Sequence, residues 1–182
     1  DIVLDDGIIA DIAPAGVLDL SATGALIVDY TSSSTYDTVL SLVMSGRLTT
    51  TQPGLVVGLA EISEVASAWP GADVTSVLAL ATRPGDANLD RSVDFADLLL
   101  LAQAYELPGG RWATGDFNHD GVVDFADLLS LAQNYGASAL HAAGVEPSAD
   151  FKSDWALARS LVPEPASLAL VAAAMMFTRQ RV

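Results

Sequence analysis

Two stretches of the chain set oxygen-bearing side chains at one and the same spacing. Residues 85–97 read GDANLDRSVDFAD, and residues 115–127 read GDFNHDGVVDFAD. Counted from Asp86 and from Asp116, the Asp and Asn residues fall at positions 1, 3, 5, 9 and 12 of a twelve-residue loop. That spacing wraps oxygen ligands around Ca²⁺, a hard cation that takes six to eight oxygens at about 2.3–2.6 Å. In the first loop the expected ligands are Asp86, Asn88, Asp90, the carbonyl of Ser92, Asp94 through a water, and Asp97. In the second they are Asp116, Asn118, Asp120, the carbonyl of Val122, Asp124 and Asp127. The plainer alternative, an Asp-rich turn with Asp94 and Asp124 as helix N-caps, leaves positions 1, 3 and 5 unexplained. Two Ca²⁺ ions are the expectation.

Each loop runs into a segment of helical period that must hold its last ligands in place. At 100° per residue Leu98, Leu101, Ala102 and Tyr105 share one face, as do Leu128, Leu131, Ala132 and Tyr135. Neither stripe is long enough to be buried alone, so the two helices are expected to pack as an antiparallel pair. Val93 and Val123, apolar at position 8 of both copies, suggest that the two loops pair with each other by a short β-contact. On the outer face Ala96, Leu100 and Ala104 stand against Ala126, Ser130 and Asn134 in the second copy. An apolar outer stripe on a small unit calls for cover, either a docking partner or the upstream strands.

The double motif, with Asp at position 12 and one helix per loop, resembles a type I dockerin over Gly85 to Tyr135. The resemblance implies a docking module that plugs into a cohesin-like protein domain, as on scaffolds of polysaccharide-degrading enzymes. Contact residues transferred by that resemblance are Phe95, Ala96 and Leu100, with Phe125, Ala126 and Ser130. The family's usual Ser-Thr-like pair is replaced here by Phe95-Ala96 and Phe125-Ala126, and its basic positions by Ala102-Gln103 and Ala132-Gln133. Calcium binding therefore carries over more directly than the choice of partner. Arg91 also replaces the Gly of position 6, which Gly121 retains. That position favours positive φ, so the first loop is expected to be the weaker site, with the Arg91 cation close to Ca²⁺ on a side chain long enough to swing into solvent.

The 182 residues carry 23 acids against 8 bases, a net charge of −15. A chain so acidic does not neutralise phosphates, which argues against nucleic acid. Half the residues are hydrophobic, so it reads as a folded protein with an acidic face. There is no cysteine, which suits either a reducing compartment or an exported bacterial protein that uses metal in place of disulfides. The start at Asp1 suggests a processed product or the C-terminal part of a longer chain.

Residues 1–83 read as a β-rich module. Short runs at Ile2–Leu4, Ile8–Ala10, Val17–Leu20 and Ala25–Tyr30 alternate with turn signals, a cadence that suits a sandwich or the last coils of a β-solenoid. A helix is expected over Tyr36–Ser45, ended by Gly46, and further strands over Leu55–Ile62 and Val74–Ala81. Asp19, Asp29, Glu61 and Glu64 could supply a carboxylate pair for glycoside cleavage, but their spacing does not require it. No nucleophile elbow, zinc-hydrolase helix or phosphate loop is present, and His119 and His141 lack a companion ligand. No catalysis is expected in this segment.

Residues 137–161 read as a linker, and residues 162–182 as a tail: Val162, then Pro163, Glu164 and Pro165, the apolar run 166–177, and Arg179 and Arg181. Twelve apolar residues make a helix of about 18 Å, short of the ~30 Å bilayer core. The order of features is similar to the PEP-CTERM sorting tail. It implies export, transient membrane contact through 166–177, cleavage by an exosortase-type processing enzyme, and delivery to the cell surface. Loop pair and tail together resemble the C-termini of large exported planctomycete autotransporter-like proteins. The expected fold is α+β: a β-rich region, two loop–helix units over 84–136, and a short C-terminal apolar helix. The expected function is calcium-dependent docking at a bacterial surface. The alternatives are the docking appendage of an upstream glycoside hydrolase and a structural calcium clamp with no partner.

Overall fold

The computed structural model describes residues 2–5, 16–65, 69–139 and 149–162. Strands β1 (Ile2–Asp5), β3 (Ala25–Asp29), β6 (Ser76–Thr82) and β5 (Val56–Glu61) form one mixed sheet in the order β1-β3-β6-β5. β1 runs parallel to β3 with Ile2 opposite Leu26; β3 and β6 are antiparallel with Ile27 opposite Leu78; β5 and β6 are antiparallel with Leu59 opposite Ala79. Two-residue strands β2 (Leu18–Asp19) and β4 (Leu48–Thr49) make a separate parallel pair. The fold is α+β, as the sequence suggests.

The sheet is buried on both faces, which is why its strands read as unbroken apolar runs. Side chains alternate with a period of two. Leu26, Val28, Val57, Leu59, Val77, Ala79 and Ala81 face a core shared with helix α1 (Tyr36–Met44) and with Leu20 and Leu48. Ala25, Ile27, Ala60, Leu78 and Leu80 face the opposite way, onto a core built from the two loop–helix units. The strands are thus covered by helices and loops, where the cadence suggested a sandwich or solenoid coils. Helix α1 stops where expected: Gly46 takes φ +70, its N–H meets the Val43 carbonyl, and the Arg47 N–H meets that of Leu42.

Helices α2 (Phe95–Ala104) and α3 (Phe125–Asn134) follow the two loops. Their inner faces are those expected, with Leu98, Leu101 and Ala102 buried on α2 and Leu128, Leu131 and Ala132 on α3. The stretch read as a linker contains a further helix, α4 (Ala149–Leu161). Its apolar signal at Phe151, Trp155 and Ala158 has helical spacing but is diluted by charged neighbours, so composition hides it. α4 packs against α2. The Tyr105 and Trp155 rings meet edge to face at 5.7 Å, those of Tyr135 and Phe151 at 5.3 Å, and the Tyr135 hydroxyl donates to Asp154 at 2.6 Å. Among the described residues no helix is long and apolar enough to cross a membrane. The sorting residues Pro163, Glu164 and Pro165, the run 166–177, Ile8–Ala10 and His141 lie outside the described residues.

Candidate metal centre

The two loops fold alike down to individual hydrogen bonds. In each, the carboxylate at position 1 accepts two amides across the loop. Asp86 accepts the N–H groups of Asp90 at 3.1 Å and Arg91 at 2.9 Å; Asp116 accepts those of Asp120 at 3.2 Å and Gly121 at 2.9 Å. Positions 3 and 5 form successive Asx turns: Asn88 Oδ1 accepts the Asp90 N–H and Asp90 Oδ1 that of Ser92, repeated by Asn118 with Asp120 and by Asp120 with Val122. Positions 4 and 6 are left-handed in both copies, at φ 56 and 75 for Leu89 and Arg91 and 60 and 89 for His119 and Gly121. Left-handed residues at both positions turn the backbone tightly between the Asx turns.

Positions 9 and 12 tie the loop to its helix. Asp94 and Asp124 cap α2 and α3, accepting the N–H groups of Ala96 at 2.8 Å and Ala126 at 2.7 Å. The capping seen as an alternative to metal binding is therefore real, a capping box that engages positions 9 and 12 and leaves positions 1, 3 and 5 unexplained. Asp97 reaches back to the N–H groups of Ala87 at 2.8 Å, Asn88 at 3.1 Å and Asp94 at 2.8 Å. Asp127 does the same with Phe117 at 2.8 Å and Asp124 at 3.0 Å.

These four carboxylates are buried: Asp86, Asp97 and Asp127 at 0% exposure and Asp116 at 2%. Among the described residues none of the four forms an ion pair, and Arg111 pairs elsewhere, with Glu64 at 2.6 Å. Burial pushes the Asp86 carboxyl up to about 7, against the lowering effect of a hydroxyl hydrogen bond from Thr82. It pushes Asp97 up to about 8, against its amide donors, and raises Asp127 as well. Buried acids that form no ion pair are costly, and a bound cation would remove that cost. Among the described residues, no three Asp, Glu or His side chains converge into a ready-made cluster. The donor set is nonetheless that of a hard cation, mixing carboxylate, carboxamide and main-chain oxygens.

The loops do not pair with each other as the twin valines suggested. Val93 exchanges hydrogen bonds with the exit of the other copy's helix: its N–H meets the Ala137 carbonyl at 2.9 Å, and the Gly136 N–H meets its carbonyl at 2.8 Å. Val123 is held likewise by the exit of α2, through the Glu106 N–H at 2.8 Å. The glycines opening the loops complete this exchange. A Cβ on Gly85 would lie 2.9 Å from the Leu131 Cα, and one on Gly115 would lie 2.9 Å from the Leu101 Cβ and 3.0 Å from its Cα. Each loop is thus closed by the other copy's helix, a non-local arrangement that a single repeat does not reveal.

Several supporting residues escaped the sequence reading. Trp112, between the repeats, is fully buried and donates from Nε1 to the Asp86 carbonyl at 2.6 Å. Its ring meets Phe117 edge to face at 5.2 Å. Thr82 belongs to β6 yet hydrogen-bonds Asp86, fixing the first loop to the sheet. A lone Trp between two polar loops was the available signal for an anchor. The Arg91 side chain, long enough to reach solvent, donates instead to main-chain carbonyls of the β2–β3 turn.

Of the residues suggested for partner contact, Leu100 and Phe95 are half-buried and pack against the core, so the outer stripe of α2 is partly covered. Ala96, Phe125 and Ala126 are exposed and Ser130 is half-buried. Phe125, Leu129 and Val122 form the open apolar positions of the second copy. The four acids weighed for glycoside cleavage have separate partners. Asp19 accepts from Thr51, Asp29 from Ser76, Glu61 from Tyr30 and Ser34, and Glu64 from Arg111. No family model matches the chain, and neither does any curated protein or solved structure.

Proposed function

We propose that residues 86–97 and 116–127 each bind one Ca²⁺ and that the pair is a dockerin-like docking module. The observation that carries this is the duplicated loop itself: one hydrogen-bond pattern, left-handed residues at positions 4 and 6, and buried carboxylates at positions 1 and 12 with no paired cation. Asp86, Asn88, Asp90, Asp94 and Asp97, with the Ser92 carbonyl, would hold the first ion. Asp116, Asn118, Asp120, Asp124 and Asp127, with the Val122 carbonyl, would hold the second. Bound Ca²⁺ supplies the charge that the buried acids lack. The docking face is the open one of α3, at Phe125, Ala126 and Leu129, and a cohesin-like domain is the partner class. The C-terminal tail, read from sequence, makes the chain part of an exported surface protein processed by an exosortase-type enzyme. It places no chemistry in this segment, whether or not a hydrolase lies upstream.

A second reading, a structural calcium clamp, draws support from one observation. The core of the loop–helix pair is continuous with one face of the sheet, through Leu89, Trp112, Ile27, Leu78 and Leu80. Thermal melting of the full chain tests the calcium binding common to both. A ligand at a hundred times its Kd adds about 2.7 kcal/mol per site. The melting temperature should therefore rise in Ca²⁺ and fall back in EGTA, and Mg²⁺ at equal concentration should do less. Superimposable melts in Ca²⁺ and EGTA would remove both readings. Phe125→Ser with Leu129→Ser then separates them, since loss of cohesin-domain binding at unchanged melting temperature is expected only of a docking face.

A further inference from the structure

Arg91 stands in the first loop where the second has Gly121, and it keeps the left-handed backbone that this position demands, at φ 75. Its own N–H donates to Asp86, and its neighbours Asp90 and Ser92 are the expected ligands at positions 5 and 7. Its side chain leaves the loop altogether. Nη1 donates to the Ala22 carbonyl at 2.5 Å, and Nη2 to those of Thr23 at 2.8 Å and Gly24 at 3.3 Å. The guanidinium carbon also lies 5.2 Å from the Trp69 ring centroid, in the connection between β5 and β6. Three carbonyls of one turn converging on a planar five-donor group form a cradle that glycine cannot fill and lysine cannot span. That turn leads directly into β3, a central strand of the sheet.

From these contacts we infer that Arg91 is a latch: a cation held in the first loop orders the Ala22–Gly24 turn, and with it the entry to the sheet. This rests on the calcium reading above. A cation gripped by positions 5 and 7 fixes the backbone between them, which sets where the Arg91 side chain starts. The guanidinium then carries that constraint about seventy residues back along the chain. By linkage the turn reciprocally strengthens the first site, so Arg91 is a positioning residue for that site rather than a defect in it. The second loop, with Gly121 at this position, has no side chain there to make such a tie.

Hydrogen exchange of the full chain in Ca²⁺ and in EGTA tests the latch, with calorimetry recording calcium uptake in parallel. In the natural sequence, Ca²⁺ should slow exchange in the peptide 18–30 about tenfold beyond its effect on 56–61, the scale of one charge-assisted hydrogen bond. Arg91→Gly should still take up calcium yet lose that excess protection, leaving both peptides to respond equally. Arg91→Lys keeps the charge and the Cβ and should lose most of the excess; it serves if the glycine variant does not fold. Excess protection that survives in both variants would overturn the latch, as would none in the natural sequence with calcium bound. No calcium uptake by the natural sequence would instead strike the calcium reading, and the latch with it.

Discussion

Gly58→Ala measures how tightly the first loop is built onto the sheet. Gly58 lies in β5 on the face that meets the loop–helix pair. A Cβ there would come within 2.6 Å of Leu89 Cδ2, 2.9 Å of Trp112 Cε2 and 3.0 Å of Thr82 Cγ2. Leu89 and Trp112 are both fully buried, so neither has open space to retreat into. Overpacking of this kind costs about 1–3 kcal/mol. At roughly 2–4 °C per kcal/mol for a chain of this size, a loss near 2 kcal/mol lowers the melting temperature by about 4–8 °C. Leu89→Ala alone should cost about 2–5 kcal/mol through the cavity it leaves. It also removes the closest clashing atom while keeping the same backbone at position 4. The double variant should therefore be more stable than the sum of the single losses implies, by about 1 kcal/mol, with the Trp112 contact accounting for the remainder. Calorimetric melting of the four proteins measures the coupling. Strict additivity, or a Gly58→Ala chain as stable as the original, would refute the packing of loop on sheet.

Three further outcomes follow from the same geometry. In EGTA the folded chain holds protons on Asp86 and Asp97 up to about pH 7 and 8, whereas the unfolded chain releases them near the ordinary carboxylate value of about 4. Stability should be greatest below about pH 4 as far as these groups are concerned and fall as pH rises to 8; a denaturant series across that range measures it, and saturating Ca²⁺ should abolish the decline. Trp112→Phe removes the donor to the Asp86 carbonyl and shrinks a fully buried ring, so it should cost about 2 kcal/mol in urea unfolding and weaken the first site more than the second. Mature protein recovered from the surface of the source cells should lack residues beyond roughly Pro165 while keeping both loops. Abundant peptides containing Met175 and Phe177 in its mass spectrum would contradict the sorting reading.

Local features were legible in the sequence and long-range ones were not. The twin loops, the caps at Asp94 and Asp124, the buried stripes of α2 and α3 and the Gly46 stop of α1 all depend on residues a few positions apart. The reciprocal closure of each loop by the other copy's helix joins Val93 to Ala137, and the Thr82 and Trp112 contacts to Asp86 join separate elements. No periodicity encodes such pairings. Twin valines at position 8 were equally compatible with loop-to-loop contact. Helix α4 escaped notice because six of the eleven residues in 150–160 are polar or charged and dilute its apolar face. The glycine rule at position 6 rightly flagged the left-handed backbone of Arg91, whereas the turn nearly seventy residues away that holds its side chain left no local signal.

Two calcium ions per chain, one in each loop, are what the proposed function requires. Isothermal titration of the full chain with Ca²⁺, repeated for Asp97→Asn and Asp127→Asn, tests it most directly. Each substitution keeps the shape of a position-12 side chain and removes the charge that a hard cation requires. A stoichiometry of two for the natural sequence, falling to one in each variant, is the predicted result. A stoichiometry of zero, or of two in all three proteins, would show that these loops do not hold the ions.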